Sequence, residues 1–158
     1  LPISFALMLN LASAASAHNT DVMWGFIGRY CNGASPQTHP MLDQLAGFAV
    51  KYFQDFVEPT KSFRAADDRE CAAMQDLIER LEALGPDCRD GEVIQNEVYA
   101  AGKAAEYENL RDWFKALYEV LLGQSQGPRF GSFVAIYGIP ETVALIEKGL
   151  AGDLLAEK

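Results

Sequence analysis

Histidine, cysteine and positive charge are all scarce in this 158-residue chain. The two histidines, His18 and His39, are too isolated to form a metal site or a catalytic pair. Cys31, Cys71 and Cys88 are odd in number and widely spaced, which fits neither a disulfide framework nor a zinc site and suggests reduced thiols in a cytoplasmic protein. Thirteen basic residues face 22 acids, a net charge of -9, which excludes a protein that coats duplexes through a basic surface. Ten of those acids lie between Asp67 and Glu97, offset only by Arg69, Arg80 and Arg89, and read as a solvated face turned away from any polyanion. Nucleophile elbow, Walker loop, metal-binding His/Glu pair and dinucleotide fingerprint are all missing, so no catalytic, cofactor-binding or metal-ligating residue is assigned.

Long apolar runs are missing too. The opening LPISFALMLNLASAASA looks like the end of a signal peptide, but it has no basic flank and Asn10 interrupts it. It is also shorter than the roughly 20 residues a bilayer requires, so a buried first helix is expected and a membrane is not. The absence of an initiating methionine suggests a piece of a longer protein.

What is present is helical periodicity. With 49% apolar residues the chain can bury one core, and residues 1–158 read as a single all-α domain, a bundle of about seven to eight helices. The first spans about Pro2 to Ala17, with Phe5, Leu9 and the nearby leucines facing the core. Asn19, Thr20 or Asp21 caps a second, which stops at Asn32-Gly33. Thr38 caps a long third helix, HPMLDQLAGFAVKYFQDFV, in which Leu42, Leu45, Phe48, Ala49, Tyr52, Phe53 and Phe56 recur at helical steps and read as core. Lys51, Lys61 and Arg64 read as solvated charges. A fourth helix covers Asp67 to Leu84, and a fifth, capped by Asp90, is EVIQNEVYAAGKAAE. A sixth runs from Asn109 to Leu122, with Leu110, Phe114, Leu117 and Leu121 on its apolar face and Trp113, Lys115 and Tyr118 nearer another. Pro140 and Glu141 open the last, PETVALIEKGLAG.

Between those two helices lies GQSQGPRFGSFVAIYG, Gly123 to Gly138, which contains no acid at all. One reading is structural: Gly123 ends a helix, Gly127-Pro128 turns the chain, and Phe130, Phe133 and Tyr137 bury themselves. The other is chemical. Gln124, Gln126, Arg129 and Phe130 together can hydrogen-bond a heterocycle, hold a phosphate and stack a base, which is what reading unpaired nucleotides requires.

Three segments, LPISFALMLNLASAA, IQNEVYAAGK and WFKALYEVLLGQSQGPRFGSFVAIYGI, resemble the carboxy-terminal, anticodon-binding part of class I lysyl-tRNA synthetases, the lysine-charging enzymes of archaea and some bacteria. The resemblance covers nearly the whole chain. It implies a helical cage similar to the anticodon-binding domain of bacterial glutamyl-tRNA synthetases. It also implies an amino-terminal Rossmann catalytic domain in the same polypeptide that activates lysine with ATP. The HIGH and KMSKS signatures of that domain do not occur in these 158 residues, so the resemblance implies a segment that recognises tRNA(Lys) through its anticodon stem-loop and does no chemistry.

The lysine anticodon is rich in uracil, whose edge offers two carbonyl acceptors and one N–H donor. A glutamine amide matches an acceptor and that donor together, which suits Gln124 and Gln126. Arg129 can donate to a carbonyl or phosphate, and Phe130 or Trp113 can stack on a splayed base. Arg111 and Lys115 provide phosphate contacts. Gln95, Asn96 and Tyr99 on the fifth helix are further candidates. Trp113 and Phe114 point to different sides of a helix, so at most one faces RNA. Residue chemistry without the resemblance leaves a second reading open, a helical protein-interaction module whose aromatic final third forms a groove.

Overall fold

A computed structural model of the chain describes residues 3–156. Eight α-helices enclose one core, and no strand occurs among the described residues. α1 is Phe5–Ala15, α2 Thr20–Tyr30, α3 Pro40–Tyr52, α4 Asp68–Leu84, α5 Gly91–Ala104, α6 Leu110–Leu117, α7 Phe130–Tyr137 and α8 Ile139–Ala151. Two helices continue as single π-helical turns, α3 through Phe53–Val57 and α6 through Tyr118–Leu122. The expected first-helix start at Pro2 lies outside the described residues. No single helix among the described residues is long and apolar enough to cross a membrane.

Side chains set most of the starts. Ser4, Asn19, Asp67, Asp90 and Asn109 each accept a hydrogen bond from a first-turn backbone N–H, satisfying donors that helix geometry leaves unpaired. At α4 the arrangement is reciprocal: Asp67 accepts from the Glu70 N–H at 2.8 Å, and Glu70 accepts from the Asp67 N–H at 2.9 Å. The cap expected of Thr38 does not form. Its hydroxyl instead accepts from Ser35 N–H at 2.8 Å, closing a turn, and α3 starts behind His39 with Pro40 in its first turn.

α7 lies at the centre, against α1, α2, α5 and α8, and its crossing with α5 is the closest in the fold. Glycines make that approach possible. A Cβ on Gly131 would sit inside the carbonyl oxygen of Gly91 and 2.7 Å from both the backbone N and the Cβ of Gln95. Gly102 does the same for α6, leaving space that the Trp113 indole fills.

Two sequence expectations about the core are overturned. Phe5 is exposed and Leu9 only half-buried, because α1 turns Leu7, Met8, Leu11 and Ala12 inward instead. In α3, Phe48, Tyr52 and Phe56 are exposed, although Leu42, Ala49 and Phe53 are buried as expected. Two helical stripes compete on that helix, and the one containing Ala46, Ala49 and Val50 is buried. Its small side chains let α1 come close, which the aromatic stripe would prevent.

Candidate nucleic-acid interface

The acid-free segment begins where α6 ends. The π-helical turn Tyr118–Leu122 closes with Gly123 in the left-handed region at φ 69°, and Gln124 N–H donates back to the Tyr118 carbonyl at 3.2 Å. Ser62 N–H donates to the Gly123 carbonyl at 3.0 Å, tying the loop to the strap between α3 and α4. Farther along, the Tyr118 hydroxyl donates to the Pro128 carbonyl, and Gly127 lies so close to the Tyr118 ring that a Cβ there would stand 2.6 Å from it. Beyond the loop, Gly131 N–H donates to Gln95 Oε1 at 2.6 Å in the core. The 123–129 loop is thus held at its start, near its end and by the helix it enters.

Beside it is a shallow depression lined by Arg111, Phe114, Lys115, Tyr118, Ser125, Gln126 and Gly127. Phe114 and Tyr118 are half-buried, so part of each side chain reaches solvent. Tyr99 of α5 meets Phe114 edge-on at 5.5 Å. Arg111, Lys115 and Gln126 are exposed around these rings. Lys115 reaches Glu119 only at 4.0 Å, an exposed pair of little consequence. Burial pushes the Tyr118 phenol above its ordinary pKa, so it remains a neutral donor to Pro128.

The other expected residues separate into two groups. Arg129 is exposed immediately before α7, and Gln124 is half-buried in an adjoining depression with Thr60, Ser62, Phe63, Arg64, Glu119 and Ser125. Asn96 is exposed on α5, one turn before Tyr99. Trp113, Phe130 and Gln95 are buried, so the direct RNA-contact roles expected of them are corrected. Trp113 is fully enclosed, with its indole N–H donating to the Val98 carbonyl at 2.9 Å, because a large ring with a satisfied donor stabilises the core more than the α6 surface. Phe130 is enclosed between Tyr118 and Phe133, at ring separations of 6.5 and 5.7 Å. Gln95 spends its carbonyl on Gly131. These three position the surface from beneath.

Of the apolar face expected for α6, Leu117 and Leu121 are buried, but the buried stripe widens toward Trp113, Ala116 and Val120, which leaves Phe114 on the rim. Of the pair Trp113 and Phe114, of which at most one was expected to face RNA, Phe114 is the one at the surface, and Tyr118 is an aromatic that the sequence did not single out. The signal for them was an aromatic pair four residues apart beside Arg111 and Lys115, cations that a core face would not tolerate.

Two cations expected to be solvated are committed elsewhere. Arg64 donates to both oxygens of Glu70 at 2.8 Å and to Glu119 at 2.7 Å, a fork that raises the arginine's pKa. The same bonds hold the Glu70 carboxyl below its usual range. Lys61 donates to the Ser13 carbonyl at 3.1 Å and lies over the rings of Phe53 and Phe63. Of the aromatics of the final third, which the alternative reading would place in a groove, Phe130 and Phe133 are fully buried, and Tyr137 stacks between Phe133 and Phe26 at 5.2 and 5.1 Å.

A helical domain with cations and amides around half-buried aromatic rings is similar in sequence to part of an aminoacyl-tRNA synthetase. The relatives are lysine–tRNA ligases. That of Roseobacter denitrificans is 52% identical over 156 residues, 98% of this chain but 29% of the relative. That of Rickettsia bellii is 47% identical over 148 residues, 94% of this chain and 28% of the relative. In Rickettsia felis the identity is 46% over 145 residues, 92% of this chain and 27% of the relative. The chain thus spans less than a third of the length of these relatives. No family model matches it, and no solved structure does.

Proposed function

We propose that this chain is the anticodon-binding part of a class I lysine–tRNA ligase acting in the cytoplasm, the part that recognises tRNA(Lys) while a separate catalytic domain of the same polypeptide activates lysine with ATP. Supporting this reading are the sequence similarity along nearly the whole chain and the depression at Phe114 and Tyr118. No residue here is assigned to ATP, since the loop glycines come without the lysine and hydroxyl that a phosphate cradle needs.

The observation that carries the proposal is the grouping of two half-exposed rings, two cations and an exposed amide on an ordered surface of a strongly acidic protein. A splayed base stacks on Phe114 or Tyr118. The Gln126 amide then matches a carbonyl and the N–H of a uracil edge, and Gln124 offers a second amide one depression away. Arg111, Lys115 and Arg129 hold phosphates, which fixes register without reading sequence. Asn96 extends the surface along α5 beyond Tyr99. The pinned loop lowers the entropy lost when RNA binds.

Salt dependence tests this directly. With three phosphates neutralised, the logarithm of the binding constant for lysine tRNA falls against log salt with a slope of about -2, and Arg129→Ala flattens it by about 0.7. Arg129→Ala also weakens binding roughly ten-fold or more. Unchanged affinity and slope in a filter-binding assay reject the role of Arg129.

A further inference from the structure

α3 carries an apolar stripe that none of the described residues covers. Met41 is 82% exposed, Phe48 66%, Phe56 63% and Tyr52 44%. At seven-, four- and four-residue spacings they form one line, roughly 22 Å long at the rise of a helix. Phe5 of α1 extends the patch, meeting Tyr52 edge-on at 5.9 Å, and Tyr52 rests on Phe56 at 5.0 Å. At one end Ile3, Pro40, Met41, Leu42 and Leu45 line a mainly apolar hollow. Single exposed apolar residues are ordinary, but a contiguous patch of this kind marks an interaction surface.

We infer that this stripe is the docking face for another portion of the lysine–tRNA ligase polypeptide, an apolar and weakly charged surface laid along α3. The inference rests on similarity to a segment of that longer enzyme, not on the anticodon reading. Three observations select this occupant. Most of each relative's length lies outside the match, so a tethered partner exists in those proteins. The patch exposes on the order of 500 Å² by the size of its side chains, short of the roughly 800 Å² per partner of a stable standard-size complex between separate molecules. A tethered domain needs less, because its effective concentration replaces part of the association cost. RNA is disfavoured by charge: residues 40–57 carry one cation, Lys51, against two acids, Asp43 and Asp55.

The test is hydroxyl-radical footprinting read by mass spectrometry, first without tRNA and then with lysine tRNA added. It compares the 158-residue chain alone with the same chain replacing the matching segment of the Roseobacter denitrificans ligase. Oxidation of Met41, Phe48 and Phe56 is expected to be fast in the isolated chain and severalfold slower in the longer protein, while Tyr99 and Val93 react alike in both. Equal rates at the stripe in the two proteins overturn the inference. Protection already present in the isolated chain, with a doubled mass by light scattering, overturns it in favour of a second copy. Protection that develops only when tRNA is added overturns it in favour of RNA. The same comparison on the unaltered Roseobacter enzyme, over the peptides aligned with residues 40–57, dispenses with the chimera. A failed footprint leaves the salt-dependence test untouched, so the two proposals fail separately.

Discussion

Gly131→Ala tests the crossing that supports the candidate interface. The alanine Cβ would press into the Gly91 carbonyl oxygen and lie 2.7 Å from Gln95 N and Cβ, and all of these atoms belong to a helix that cannot yield locally. Restoring ordinary contact moves α5 and α7 apart by roughly 1 Å, an overpacking cost of about 1–3 kcal/mol. The same movement stretches the 2.6 Å bond from Gly131 N–H to Gln95 Oε1 beyond hydrogen-bonding range, stranding two buried polar groups at a further cost of about 1–3 kcal/mol. The sum, about 2–6 kcal/mol, corresponds to a fall in Tm of roughly 5–20 °C for a chain of this length. Calorimetry or a circular-dichroism melt reads it. Gly25→Ala is the control: nothing lies within 4 Å of a Cβ there, in the middle of α2, so better helix propensity raises stability by about 0.5–1 kcal/mol. A Gly131→Ala protein melting within 2 °C of the parent, by the same scale of about 2–4 °C per kcal/mol, would refute the close-crossing argument.

Phe114→Ala is expected to weaken binding of lysine tRNA by about 1–3 kcal/mol per stacked base and to lower the melt less than Trp113→Ala does, since the ring is only half-buried, as titration and calorimetry on the same preparation will show. Trp113→Ala is expected to do the reverse in magnitude, destabilising the fold by about 3–5 kcal/mol, since the ring is enclosed and hydrogen-bonded. Glu70 has a folded pKa below its unfolded value of about 4.3, so its fork to Arg64 adds stability above that pH, and the contribution disappears as pH falls through the lower folded value. Glu70→Gln therefore lowers stability at pH 7 and flattens the loss below about pH 4.3; parallel stability–pH curves for the two proteins contradict the assignment.

The helices were legible because periodicity and caps are local. Asn19, Asp67 and Asp90 announced their helices, and the all-α architecture followed. Which stripe of a helix is buried is not local. α3 carries two stripes at helical spacing, and the choice of Ala46, Ala49 and Val50 over Phe48, Tyr52 and Phe56 depends on how near α1 comes. The same holds at α6, where the gap above Gly102 takes Trp113 inward and leaves Phe114 on the rim. In the glycine-rich segment Phe130 and Phe133 are packed, as the structural reading expects, whereas Gln126 and Arg129 face solvent. Arg64 and Lys61 were misread because their partners, Glu70, Glu119 and the Ser13 carbonyl, are supplied by the tertiary fold.

The most direct test of the anticodon assignment is titration of this chain, at low salt, with lysine tRNA and with a copy whose anticodon uracils are replaced. The account predicts tighter binding to the natural tRNA and a smaller difference in Gln126→Ala, whose truncated side chain no longer reads the uracil edge. Equal affinity for the two tRNAs would contradict it.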